Sequence, residues 1–187
     1  DDIGDLTITA DVSGSDNLTA KSQRPIPRIH GVRGQALQLS GQHALRVQLG
    51  HRLNGLRQLS ISAWVRPTDL SGYREIFRQE CPERLLFSFQ HGGTILSLGL
   101  NVDGYIECDA PIRPEMLLDG AWHHCAATFD GHSMRVYLDG NEVGQLERPG
   151  RITTNRSVPA FLGSSGGTGE FFHGALDELC IDGVALT

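Results

Sequence analysis

The stretch Ala121-Trp-His-His-Cys-Ala-Ala-Thr-Phe-Asp-Gly131, with its continuation Met134-Arg-Val-Tyr-Leu-Asp-Gly140, decides the fold of this chain. Both runs alternate in character and both close on Asp-Gly, which takes the positive backbone dihedrals that tight strand connections need. The pair therefore reads as two consecutive antiparallel strands. The same alternation spreads outward. In Leu59-Ser-Ile-Ser-Ala-Trp-Val-Arg-Pro67, Leu59, Ile61, Ala63 and Val65 share one face, and Ser60, Ser62, Trp64 and Arg66 share the other. Leu45, Val47 and Leu49 likewise stand opposite Arg46 and Gln48. Further strands are expected at Leu6–Thr9, Gly34–Gly41, Glu75–Gln79, Leu85–Gln90, Thr94–Asn101 and Tyr105–Ala110, and then at Glu142–Glu147, Ala160–Gly163 and Ala175–Ile181.

About a dozen strands with regular turn signals and almost no helical periodicity predict an all-β, two-sheet antiparallel sandwich. One short helical turn is expected between Pro111 and Leu118. Residues 1–187 read as a single domain, with a core carried by Leu59, Ile61, Val65, Phe87, Leu98, Phe129, Val136 and Leu138. The recurrent Asp-Gly dipeptides, at 103, 119, 130, 139 and 182, mark hairpins rather than a repeat array. Lys21 to Gly34, with Pro25 and Pro27, reads as an extended surface excursion.

Composition narrows the function classes. Apolar residues make up 39% and charged residues 20%, a globular balance. The net charge is −6 with no basic run, so a nucleic-acid groove is not expected. The longest apolar stretches are strand-sized, so no membrane insertion is expected. The opening Asp1-Asp2-Ile3-Gly4-Asp5 is not a signal peptide, and the chain reads as a domain excised from a larger exported protein. Of the four cysteines, Cys81, Cys108, Cys125 and Cys180, none forms a Cys-x-x-Cys unit. Cys108 and Cys125 fall on apolar faces and read as free buried thiols; one or two disulfides are the alternative for an exported protein.

Five segments, taken in order, resemble one family. These are Asp11-Val-Ser-Gly-Ser-Asp-Asn17, Gly34-Gln-Ala-Leu-Gln-Leu-Ser-Gly41, Leu59–Pro67, Asp119-Gly-Ala-Trp-His-His-Cys-Ala126 and Phe172-His-Gly-Ala-Leu-Asp-Glu-Leu-Cys-Ile181. Together they resemble LamG-like, concanavalin A-type jelly-roll domains from about Asp11 to the C-terminus, with Cys125 where the family commonly has Val. The resemblance implies an extracellular, periplasmic or cell-surface recognition module for a polysaccharide or glycan, with adhesion or binding to a protein partner as the alternative. The fold also serves glycanases, so fold alone does not assign function.

The resemblance further implies one structural calcium that ties the first loop to the last strand. Calcium takes roughly six to eight oxygen ligands. Asp11 and Asp177 are the metal candidates, with Asp16 and Asn17 as spares. His123 and His124 are adjacent on a strand, point to opposite faces, and have no carboxylate or cysteine at metal-ligand spacing, so they read as structural.

Catalysis is not expected. Retaining glycanases need two carboxylates about 5–5.5 Å apart, and the Glu-x-Asp-x-(x)-Glu run of glycanases on this fold is missing. Only Glu107 and Asp109 form an i, i+2 acidic pair on a clear strand, beside Tyr105. A sugar platform combines an aromatic face with polar groups for hydroxyls. The candidate ligand residues are therefore Trp64, Tyr105, Glu107 and Asp109, with Arg66, Tyr73, Arg74 and His91 on the rims. Trp64 and Trp122 also sit in the shared motifs, which favours packing roles. The loop Gly163–Gly169 is glycine-rich with no helix after it, so it is no phosphate cradle. Asn17-Leu-Thr19 and Asn155-Arg-Ser157 fit the short N-glycosylation pattern and decide nothing.

Overall fold

The computed structural model describes residues 8–10, 19–49, 52–80, 83–154 and 158–186. Asp11, Asp16, Asn17, Cys81 and the Asn155–Ser157 sequon lie outside the described residues. The first strands are β1 (Ile8–Ala10), β2 (Thr19–Ser22), β3 (Arg28–His30), β4 (Gln35–Ser40), β5 (Leu45–Val47), β6 (Leu59–Asp69), β7 (Arg74–Gln79) and β8 (Leu85–Gln90). They are followed by β9 (Ile95–Asn101), β10 (Tyr105–Pro111), β11 (His123–Phe129), β12 (Ser133–Leu138), β13 (Asn141–Glu147), β14 (Ala160–Leu162) and β15 (His173–Asp182). Two 3₁₀ turns, His91–Gly93 and Pro114–Met116, are the helical elements among the described residues, the second where a short turn was expected.

The strands form two sheets. One is eight-stranded in the order β1-β2-β5-β14-β7-β8-β9-β10, and the other seven-stranded in the order β13-β12-β11-β6-β15-β4-β3. Every strand pairing among the described residues is antiparallel, including the long central pairs β11–β6 and β15–β6. The architecture is the predicted sandwich of jelly-roll, LamG-like type. The excursion over Lys21–Gly34 is corrected in part: it carries the end of β2 and all of β3, which pairs with β4 at a sheet edge. No helix among the described residues is long and apolar enough to cross a membrane.

Alternation places the core between the sheets. Leu59, Ile61, Ala63 and Val65 of β6 are fully buried and face Phe77, Phe87, Phe89, Leu96 and Leu98 of the other sheet. Burial of each large apolar side chain is worth roughly 1.5–3 kcal/mol. All eight expected core residues are buried. Cys108 and Cys125 are free and buried, as expected, and Cys180 is exposed.

The decisive motif closes on itself through His123. Its ring contacts Asp139 (Nδ1···Oδ2, 2.9 Å) and Asp119 (Nε2···Oδ1, 3.1 Å). Asp139 Oδ1 also accepts the His124 N–H at 2.8 Å. Two Asp-Gly turns are thus pinned to one imidazole. Burial pulls the His123 pKa down, but hydrogen bonds to Asp139 and Asp119 outweigh it and leave the pKa raised. The reading that no carboxylate lies at useful spacing is therefore corrected. Asp119 and Asp139 reach the ring from flanking turns rather than from the strand.

Candidate functional site

The outer face of the eight-stranded sheet, across β7 to β10, is polar and layered. Register builds it in rows. Glu75 pairs with Ser88, Ser88 with Ser97, and Ser97 with Asp109. The adjacent row runs Arg78–Leu86–Gly99–Glu107. A bulge between Glu75 and Phe77 lets Phe77 face the core while Glu75 turns outward.

Tyr105 lies flat across this face. A Cβ on Gly99 would come within 2.3 Å of the Tyr105 hydroxyl, so only glycine permits the ring to lie this low. The Tyr105 hydroxyl donates to Glu107 Oε1 at 2.6 Å, and the Gln90 amide donates to Glu107 Oε2 at 2.9 Å. Ser97 Oγ donates to Asp109 Oδ1 at 2.6 Å. The Arg84 guanidinium carbon sits 5.2 Å from the Tyr105 ring centroid. Burial of the hydroxyl end, and then its bond to Glu107, push the Tyr105 pKa up.

Beside this platform, Arg78 is enclosed by three carboxylates. Its Nη1 lies 2.6 Å from both Glu75 Oε1 and Glu170 Oε2, and its Nε lies 2.9 Å from Glu80 Oε1. Glu75 is buried, and burial pushes its carboxyl up to about 8 despite Arg78, with nearby Glu170 acting in the same direction. Burial thus favours the neutral form of Glu75 and Arg78 opposes it, while Glu80 and Glu170 also face the guanidinium. Glu170 holds a left-handed backbone (φ 50°), and its carbonyl accepts the Glu75 N–H at 3.1 Å.

The structure brings Tyr105, Glu107 and Asp109 together and separates Trp64 from them. Trp64 belongs to β6 in the opposite sheet, where it pairs with His124 and Asp177. Its ring meets His124 at 5.1 Å between centroids, and Arg66 covers Trp122 at 5.0 Å. Trp64 and Tyr105 therefore look out from opposite sides of the sandwich and cannot hold one small ligand. Of the rim candidates, Arg66 joins Trp64, while Tyr73, Arg74 and His91 stand at the end of the Tyr105 face.

Asp177 is buried beneath the turn before β4. Its Oδ2 accepts the Arg33 N–H and its Oδ1 the Glu178 N–H, both at 3.0 Å. A Cβ on Gly31 would meet Asp177 Oδ2 at 2.3 Å. Both of these partners of the carboxylate are backbone donors, and among the described residues no group of three His, Cys, Asp or Glu is placed to hold a metal. A calcium here would draw its other oxygens from backbone carbonyls or from outside the described residues, where Asp11 lies.

Sequence reasoning missed Gln90, Ser97, Arg84 and the Glu75–Arg78–Glu170 cluster. A signal existed for one of them. A tight turn at Asp103-Gly104 sets Tyr105 opposite Asn101, and hence Asp109 opposite Ser97. A shallow cavity of about 270 Å³ lies elsewhere, lined by Arg57, Gln58, Asp130, Gly131, His132 and Gly183.

The family model described as the concanavalin A-like lectin/glucanases superfamily matches residues 39–187. No curated protein matches the sequence. Among solved structures, domain 4 of AbnA, a GH43 extracellular arabinanase from Geobacillus stearothermophilus, in complex with arabinotriose, is 26% identical with a TM-score of 0.72; the match covers 98% of this chain and 89% of that one. The binding domain of botulinum neurotoxin DC in complex with SialylT is 11% identical, with a TM-score of 0.71, covering 97% and 48%. Mouse laminin alpha1 domains LG4-5 are 17% identical, with a TM-score of 0.63, covering 90% and 46%. This chain thus spans less than half of the neurotoxin and laminin structures, and those two likenesses show the fold alone.

Proposed function

This chain belongs to the concanavalin A-like lectin/glucanases superfamily, and from that premise we propose a non-catalytic carbohydrate-binding module that holds a neutral glycan on the Tyr105 face. One observation carries the reading: a ring laid along the sheet over Gly99, beside Glu107, Gln90 and Asp109. An aromatic surface with convergent acceptors and an amide is the combination that recognises sugar C–H faces and hydroxyls. The arabinotriose complex of the AbnA domain, the most sequence-similar of the three structures described, supports the ligand class.

The charge of the face favours uncharged sugars. Glu80, Glu107, Asp109 and Glu170 are acidic, and Arg78 is already enclosed by carboxylates. At the rims, Arg74 is paired with Asp69 and Arg148 is bonded to the Val102 and Asp103 carbonyls, and Arg46 on β5 lies five strands from Glu107, or about 24 Å away. That exceeds a Debye length at physiological salt. A non-catalytic role is favoured because Glu107 and Asp109 are both tied into hydrogen bonds along the sheet.

The module's setting is proposed as extracellular, periplasmic or cell-surface, in line with the extracellular arabinanase and laminin relatives. Calcium between Asp11 and Asp177 is retained as a proposal for how the N-terminal segment is fixed. A protein-partner role is the second reading, favoured by the half-buried indoles of Trp64 and Trp122 on the opposite sheet. The test is a panel of neutral and acidic polysaccharides with the parent protein and Tyr105→Ala. Binding to neutral polymers that Tyr105→Ala abolishes supports the reading, and a parent protein that binds no glycan at millimolar ligand refutes it.

A further inference from the structure

We infer that Tyr73 and His91 form a second sugar contact on the same face, so that the ligand is an extended saccharide chain lying diagonally from Tyr105 to Tyr73. This rests on the glycan reading above and names the class of ligand within it. Among the described residues, Tyr73 (39% exposed) and Tyr105 (36%) are the most exposed of the Phe, Tyr and Trp rings. Trp64, Trp122, Tyr137 and Phe161 are half-buried.

Register puts both exposed rings on one face. Arg74 pairs with Phe89, so Tyr73, one residue before, falls opposite Gln90. Gln90 is the residue whose amide holds Glu107, which in turn holds Tyr105. From Tyr73 to the Tyr105 ring the path crosses about two strand spacings and four residues along the strands. With ordinary strand geometry that is about 16 Å, the reach of an oligosaccharide rather than of one sugar. Gln90, Ser88 and Ser97 line the strands between the two rings, and Glu107 and Asp109 run alongside on β10, where their carboxylates flank the path.

The second contact is rigid. His91, Gly92 and Gly93 are all left-handed (φ 49°, 72° and 79°), and for histidine that is a strained conformation. The conformation sets the imidazole against Tyr73, with ring centroids 5.3 Å apart. The Gly92 N–H donates to the Gly72 carbonyl at 2.8 Å and joins the two turns. Arg74 binds Asp69 and donates to Ser71 Oγ at 2.8 Å, which fixes the backbone before Tyr73. A strained residue held by two cross-linked turns beside an exposed ring is the geometry of a preorganised contact.

The experiment is calorimetric titration of the parent protein, Tyr73→Ala, Tyr73→Phe and Tyr105→Ala with arabinose and linear arabino-oligosaccharides of two to six units. The parent affinity is expected to rise about tenfold once the chain spans both rings. Tyr73→Ala should erase that gain while leaving short ligands unchanged; Tyr73→Phe should keep it, and Tyr105→Ala should weaken every length. Both Tyr73 variants should melt with the parent, because the ring is exposed. Equal affinity along the series, a full length gain in Tyr73→Ala, or an equal loss at all lengths in that variant overturns the inference and leaves the glycan reading standing. No binding at any length overturns both.

Discussion

Gly99→Ala tests the placement of Tyr105 directly. The new methyl would sit 2.3 Å from the Tyr105 hydroxyl, 2.8 Å from Leu86 Cγ and 3.0 Å from Tyr105 Cζ. The ring must lift off the sheet, and its 2.6 Å bond to Glu107 is lost. Replacing a strand glycine by alanine gains about 0.5–1 kcal/mol from backbone entropy. Against this stand about 1.5–3 kcal/mol for a hydrogen bond to a charged group and about 1–3 kcal/mol for overpacking. The ring is partly exposed and free to move outward, so the lower ends apply, and a net loss of about 2 kcal/mol is expected.

Tyr105→Phe removes the atom nearest the new methyl. In that background Gly99→Ala should cost about 1 kcal/mol or less, from Leu86 and the ring Cζ that phenylalanine keeps. Urea denaturation of the four proteins closes a double-mutant cycle with a coupling of about 1–2 kcal/mol. Additivity within about 0.5 kcal/mol would mean that Tyr105 does not rest on Gly99, and the platform would be wrong. Gly99→Ala should also weaken glycan binding without unfolding the domain, since the core face of β9 is untouched.

Four further outcomes are expected. His123 has a raised folded pKa, so its contribution is complete below its ordinary value of 6.5 and is lost as pH rises through the folded value; His123→Gln should flatten that decline in urea titrations. Glu75 is raised from 4.5 to about 8, so stability should fall across that interval as the buried carboxyl is forced to ionise, and Glu75→Gln should remove the fall while matching the parent below pH 4.5. If calcium joins Asp11 to Asp177, chelator should lower the parent melting temperature but not that of Asp177→Ala, which is already weakened by losing its bonds to the Arg33 and Glu178 N–H groups; a parent indifferent to chelator sinks the metal. Trp64→Ala should leave glycan affinity within about twofold, because Trp64 faces away from Tyr105; a large loss would move the site to the other sheet.

The strands were legible because period-two alternation is a local property. Leu59 to Val65 announce a buried face without reference to any partner. β2 and β3 were not legible: Pro25, Pro27 and the basic residues between Lys21 and Arg33 mask two short strands whose pairing is supplied by β5 and β4. His123 shows the same limit. Its carboxylate partners are distant in strand terms but adjacent once two Asp-Gly turns fold toward each other, and spacing along one strand does not reveal that.

The site divides along the same line. Tyr105, Glu107 and Asp109 were found together because one strand presents all three. Trp64 was grouped with them because alternation tells which residues point outward but not from which sheet. Gln90 and Ser97 come from the two preceding strands and enter only through register. Glu75 enters through a bulge, which is a choice made by packing: Phe77 must reach the core, and the extra residue that allows it turns a carboxylate outward into a place with little water. That outcome couples core and site. The packing of Phe77 against Phe87 holds Glu75 under Arg78 and Glu170, and Glu170 in turn keeps Arg78 from meeting an anionic ligand. A substitution that relaxes the bulge should therefore alter ligand charge preference before it alters the fold.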